Sequence, residues 1–189
     1  MARINENLLV RGARGNVARQ FVYKKHGDET HIARMPRVKK DAPISDGQEK
    51  VRDMFTEASL YAKGAMSSPE LKKEYQKKVQ PGITAFNVAF KDYQKPPKVK
   101  SIDTKEYDGT PGSTIVVKAK DDFRVVRVKV SIYTADNVLV EEGDTILNPV
   151  NRNKWIYTAR LLNANMQRWI VKAIAFDMPE NEGSLEVTM

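Results

Sequence analysis

Two histidines, no cysteine and scattered groups of acids set the chemistry open to this 189-residue chain. His26 and His31 flank Gly27-Asp28-Glu29, where two imidazoles and a carboxylate facing each other across a hairpin would suit a metal. An exposed turn supplies no outer groups to orient such ligands, so no metal is expected there. Serine is the remaining nucleophile, but no Gly-x-Ser-x-Gly string occurs and both histidines lie in the N-terminal arm, so no Ser-His-Asp triad is expected. Gly12-x-x-Gly15 lacks the rest of a phosphate-binding string and reads as a tight bend. Asp121-Asp122 and Glu141-Glu142 with Asp144 carry the oxygen ligands of a calcium site or the paired carboxylates of a glycosidase. Both sets fall at expected strand ends, where acids are ordinary turn formers. No catalytic residue, cofactor or metal is therefore assigned, and the chain reads as a non-enzyme.

Charge and apolar surface say more. Residues 1–100 hold 21 Lys or Arg against 11 acids, and residues 101–189 hold 11 against 13, so a +10 part precedes a −2 part. The basic set Arg11, Arg14, Arg19, Lys24, Lys25, Arg34, Arg37, Lys39 and Lys40, interleaved with Phe21 and Tyr23, could clamp nucleic acid through phosphate contacts and stacking. It equally suits the acidic face of a neighbouring subunit, and six acids within the first fifty residues count against nucleic acid. Residues 168–176 are apolar on both faces of a strand: Trp169, Val171, Ala173 and Ala175 on one, and Ile170, Ile174 and Phe176 around Lys172 on the other. A strand solvated on one side alternates more cleanly, so helices, arm or another chain should cover the second face.

The elements that position these residues follow from periodicity. Residues 1–44 read as a basic arm built on a β-hairpin that turns near Gly27-Asp28. An isolated two-stranded ribbon is marginal in water, so the arm needs another surface. Residues 45–93 read as a small helical unit. Ser45 and Gln48 form a capping box, and Val51, Met54, Phe55, Ala58, Tyr61, Ala62 and Ala65 make one apolar face. Ser68-Pro69-Glu70 starts a second helix, and Pro81-Gly82 precedes a third. Residues 94–98, with paired prolines, form a stiff linker. Residues 99–189 then carry seven candidate strands, at 99–102, 113–119, 124–133, 137–141, 154–158, 168–176 and 184–188. That number in about ninety residues predicts an immunoglobulin- or fibronectin-like β-sandwich, and an α+β chain overall.

The order of these features, with Gly12-Ala13-Arg14-Gly15-Asn16 opening the hairpin, Gly82-Ile83-Thr84-Ala85-Phe86-Asn87, Tyr107-Asp108-Gly109 and Asp121-Asp122-Phe123, resembles a group of Bacteroidota proteins that also occur in associated phages and mobile elements. The resemblance implies a basic N-terminal hairpin, a helical middle and a C-terminal immunoglobulin-like sandwich, and it transfers no activity. The expected function is that of a structural or assembly protein that self-associates through its arm and sandwich, as a filament, particle or phage component. The interface residues would be Arg11, Arg14, Arg19, Phe21, Tyr23, Lys24, Lys25, Arg34, Arg37, Ile170, Ile174 and Phe176, with Asp121, Asp122, Glu141 and Glu142 of the next copy as acidic partners. A nucleic-acid-binding accessory protein and a carbohydrate or surface-ligand module, stacking sugars on Trp155, Tyr157 or Trp169, are the alternatives. Leu8-Leu9-Val10 is too short for a signal peptide core and no run approaches a membrane span, so a cytoplasmic or virion-borne homo-oligomer is expected.

Overall fold

The computed structural model describes residues 2–3, 7–36, 43–163 and 168–188. The chain is α+β, and the described residues form three helices and three antiparallel four-stranded sheets. The first sheet is the arm: β1 (Ala2–Arg3), β2 (Gly15–Val17), β3 (Phe21–His26) and β4 (Glu29–Arg34), in the order β1-β4-β3-β2. The hairpin turns at Gly27-Asp28 as its Gly-Asp pair predicts. Two short strands are added to the expected pair, one along each outer edge. β2 reaches its edge because Gly12 and Gly15 take φ of +80° and +111°, a region that side chains with a Cβ avoid.

The helical unit follows the local signals closely. α1 (Asp46–Ser67) begins at Ser45, whose hydroxyl accepts from the Gln48 backbone while the Gln48 side chain accepts from the Ser45 backbone. α2 (Pro69–Gln76) has Ser68 as its N-cap and proline in its first position, and α3 (Ala85–Tyr93) is capped by Thr84. Ala62, Ala65, Tyr75, Ala89 and Phe123 make the unit's buried core. Four of these belong to helices, but Phe123 comes from the loop after β6. It lies 4.5 Å from the Tyr75 ring and so docks the helices on the sheets.

The remaining two sheets are β5 (Lys98–Asp103), β6 (Thr114–Lys120), β10 (Lys154–Thr158) and β9 (Ile146–Leu147), in the order β5-β6-β10-β9, and β12 (Glu182–Thr188), β11 (Ile170–Phe176), β7 (Arg127–Tyr133) and β8 (Leu139–Asp144), in the order β12-β11-β7-β8. β9 is an eighth strand where seven were expected; two residues are too short to carry a period. Ile115 and Val117 of β6 and Trp155 and Tyr157 of β10 share one core with Val128, Val130 and Ile132 of β7 and Val171, Ala173 and Ala175 of β11. The alternation along these strands therefore reflects one face turned inward and one outward. Of the paired prolines Pro96 is exposed and Pro97 is buried, and a Cβ at Gly183 of β12 would stand 1.8 Å from the Pro97 carbonyl oxygen.

Candidate functional site

The arm's strand register defines its two faces, because directly opposed residues of an antiparallel pair point the same way. Val17, Phe21 and Arg34 align, as do Tyr23 with Ile32 and Lys25 with Thr30, and these make one largely apolar face. Lys24 with His31, His26 with Glu29 and Val22 with Ala33 make the other. Among the described residues of the arm only Thr30 is buried, its hydroxyl accepting from the Gly12 backbone at 2.9 Å. Phe21 and Val17 are exposed and Tyr23 is half-buried. Arg11, Arg14, Arg19, Lys24, Lys25 and Arg34 are all solvent-accessible, and Lys24 and Lys25, adjacent in a strand, point to opposite faces. Arg37, Lys39 and Lys40 lie outside the described residues. His31 Nε2 lies 3.3 Å from Glu29 Oε2, and among the described residues neither histidine belongs to a group of three candidate metal ligands.

A second exposed surface lies on α1. Its predicted apolar face is buried only in its C-terminal half, at Ala58, Ala62 and Ala65. Val51 is 66% exposed, Met54 48% and Phe55 57%, although Phe55 touches the edge of the Phe90 ring. The cause is a mismatch of lengths. α1 has 22 residues and α3 nine, so the longer helix extends about 33 Å and its main partner only about 14 Å.

The predicted β11 residues sit elsewhere and do not join the arm set. Ile170, Ile174 and Phe176 lie on the outward face of β11, the first two half-buried and Phe176 buried. Among the described residues no strand pairing, hydrogen bond or ring contact places a helix or the arm over them. Polar neighbours flank them instead: Arg127 stacks its guanidinium 4.1 Å from the Phe176 ring, Ile174 lies between Lys129 and Ser184, and Ile170 lies between Tyr133 and Thr188. The apolar second face is thus shielded by long side chains of adjacent strands.

The acids expected to meet a neighbouring arm are engaged within their own chain. Asp122 lies 3.0 Å from Lys95 and 3.4 Å from Lys91, and the hydrogen bond from Lys95 holds its carboxyl below the usual range. Lys129 holds Glu142, likewise lowering it, and Glu141 is buried and accepts from the Arg160 and Leu161 backbones. Trp155, Tyr157 and Trp169 are core residues, so none of them presents a stacking surface for a sugar.

Asp121 goes to a different place from Asp122. Its Oδ2 accepts from the Phe123 and Arg124 backbones, each at 2.8 Å, and its carboxylate approaches Asp92 of α3 and Asp177 after β11, with one oxygen from each within 4.8 Å of the others. The Tyr61 and Tyr75 hydroxyls are 2.7 Å apart, and Tyr75 donates to Asp92 Oδ2 at 2.8 Å. Asn181 donates from its side chain to Asp177 Oδ2 and to the Tyr93 carbonyl, tying the β11–β12 turn to the end of α3. Burial pushes the Asp92 carboxyl up to about 7, with the charges of Asp121 and Asp177 adding to it, and burial also raises Asp177, Tyr61 and Tyr75. No sequence motif singles out Asp92 or Asp177. A signal exists for Asp92, which stands at helical spacing from Ala85 and Ala89 on the buried side of α3.

Among the described residues no helix is long and apolar enough to cross a membrane. No protein-family model matches the chain, and no curated protein matches it. Solved structures with some likeness include CopC from Methylosinus trichosporium OB3b, at a TM-score of 0.36 and 13% identity, covering 49% of this chain and 89% of that one. A conjugative transposon lipoprotein from Bacteroides eggerthii DSM 20697 gives a TM-score of 0.27 and 13% identity over 49% of this chain and 93% of that one.

Proposed function

We propose that this chain is a non-enzymatic structural subunit that associates with copies of itself, the arm sheet and the uncovered half of α1 forming the contact. The observation that carries this reading is the arm: four strands in which Thr30 is the only buried side chain among the described residues. A sheet this small with an uncovered apolar face buries little surface and gains little hydrophobic stabilisation, and the face bearing Val17, Phe21, Tyr23 and Ile32 is suited to packing on a second surface. The exposed Val51, Met54 and Phe55 offer a complementary surface of the kind that marks an interaction site. Nucleic acid is the weaker reading because Lys24 and Lys25 point to opposite faces, which splits the basic charge instead of aligning it along one groove.

The body that carries these surfaces is, on this reading, an immunoglobulin-like sandwich. The orders β5-β6-β10-β9 and β12-β11-β7-β8 follow the A-B-E-D and G-F-C arrangement strand for strand, with β8 as an added strand beside C. Light scattering on the full chain and on a chain starting at Pro43 tests the proposal. The full chain should grow in mass with concentration while the shortened chain stays monomeric and folded; a full chain that stays monomeric throughout contradicts it.

A further inference from the structure

The three carboxylates of Asp92, Asp121 and Asp177 come from α3, the β6–β7 loop and the β11–β12 turn, and no local turn requirement brings them together. Asp92 is 2% exposed, and its Oδ1 is buried with no hydrogen-bond partner, while its Oδ2 takes the Tyr75 hydroxyl. Among the described residues the other two acids accept from neutral N–H groups: Asp121 from the Phe123 and Arg124 backbones, Asp177 from the backbone and side chain of Asn181. Nearby cations are turned to other partners. Lys78 donates to the Asp122 and Phe123 carbonyls, Lys91 and Lys95 pair with Asp122, and Arg124 pairs with Glu74. Among the described residues no lysine or arginine forms an ion pair with any of the three.

Buried charges without a compensating partner are costly, and an unpartnered buried oxygen beside two further carboxylates calls for a positive ligand. A single proton neutralises one acid and leaves two. Oxygens within 4.8 Å of one another can be bridged by one hard cation with oxygen bonds of about 2.4 Å, which is calcium's range.

We propose that Asp92, Asp121 and Asp177 bind a divalent cation of calcium's class, which fastens the helical unit to the two sheets. The site joins α3, held to the α1–α2 pair through Tyr75 and Tyr61, to the two loops on which those helices rest. Its role is structural: the ion completes a junction that protein groups leave one ligand short. None of the three acids lies on the arm or on the exposed half of α1, so the site is separate from the surface proposed for self-association.

The test uses the full chain stripped with chelator and titrated near neutral pH with calcium, magnesium and terbium chlorides. Tyr75, bonded directly to Asp92, is placed to sensitise terbium. Calcium should raise the melting temperature, and terbium should give tyrosine-sensitised luminescence that calcium displaces. Asp92→Asn and Asp177→Asn should each weaken both effects at least about tenfold, since affinity at such sites follows ligand charge, whereas Asp122→Asn, whose carboxylate faces Lys91 and Lys95, should keep them. Absence of a calcium-dependent shift in the unmodified chain up to about 10 mM, beyond the weakest extracellular sites, overturns the proposal whatever the variants do. A shift that persists unchanged in Asp92→Asn and Asp177→Asn overturns it as well.

Discussion

Substituting Asp92 by asparagine should stabilise the chelator-treated protein at alkaline pH, which is the opposite of what most substitutions at a buried polar residue do. The Asp92 carboxyl rises from 3.8 to about 7, with Asp121, Asp177, Tyr75 and Lys78 as its charged and titratable neighbours and with Tyr61 behind Tyr75. Between those values the folded chain holds a proton that the unfolded chain has released, so stability is fully present below about pH 4, falls as pH rises to about 7 and is level above. Raising a carboxyl's pKa tenfold in proton affinity corresponds to about 1.4 kcal/mol, giving an upper figure of about 4 kcal/mol for the loss. Asp177 is raised as well, so it adds to the trend. Glu74, Asp122 and Glu142 are lowered by their lysine partners and act with the opposite sign only toward acid. Asparagine removes the charge, can still accept from Tyr75, and can turn an N–H toward the neighbouring acids. Urea unfolding at a series of pH values between 5 and 8.5 reads the effect, provided the transition is two-state. The unmodified chain should lose stability across the series, while Asp92→Asn should show a much flatter profile and exceed it by about 2–4 kcal/mol at the alkaline end. A flat or rising profile for the unmodified chain, or an asparagine variant that is weaker at high pH without cation, would show that no uncompensated charge at Asp92 opposes folding.

Two further substitutions probe how the parts are joined. Gly183→Ala places a methyl group 1.8 Å from the Pro97 carbonyl oxygen, a backbone atom that must shift, and should cost about 2–3 kcal/mol in urea unfolding; a neutral result would mean that β5 enters the sheet with slack. Phe123→Ala removes the side chain that the β6–β7 loop inserts into the helical core and should cost about 3–5 kcal/mol. Its faster hydrogen exchange should concentrate in α2 and α3, and uniform loss of protection would show that the two units unfold together.

Local signals are legible in the sequence and tertiary ones are not. The reciprocal Ser45 and Gln48 capping box and the Ser68 cap, which accepts from the Leu71 backbone ahead of Pro69's turn of helix, are contacts within four residues, and both are present in the structure. Strands β6, β7, β10 and β11 are readable because each turns one side chain in two toward a shared core. β1, β2 and β9 have two or three residues, too few for any period, and they exist because an adjacent strand offers an edge. The face of α1 is apolar as its spacing predicts but is not buried throughout, because cover depends on the length of α3, which Pro81-Gly82 and Pro96 limit from outside α1. Asp121 and Asp122 are adjacent in sequence and look alike there, but the strand end sends one toward Asp92 and Asp177 and the other toward Lys91 and Lys95. Position along the chain carries no information about that divergence.

Self-association is tested most directly by sedimentation velocity on the full chain and on a Val51→Glu, Met54→Lys variant, which leaves net charge unchanged and touches neither core. The full chain should form a species heavier than the monomer as concentration rises, and the variant, folded and equally stable, should sediment as a monomer at the same concentrations. Identical sedimentation of the two, whether both monomeric or both associated, would contradict the role assigned to the exposed half of α1.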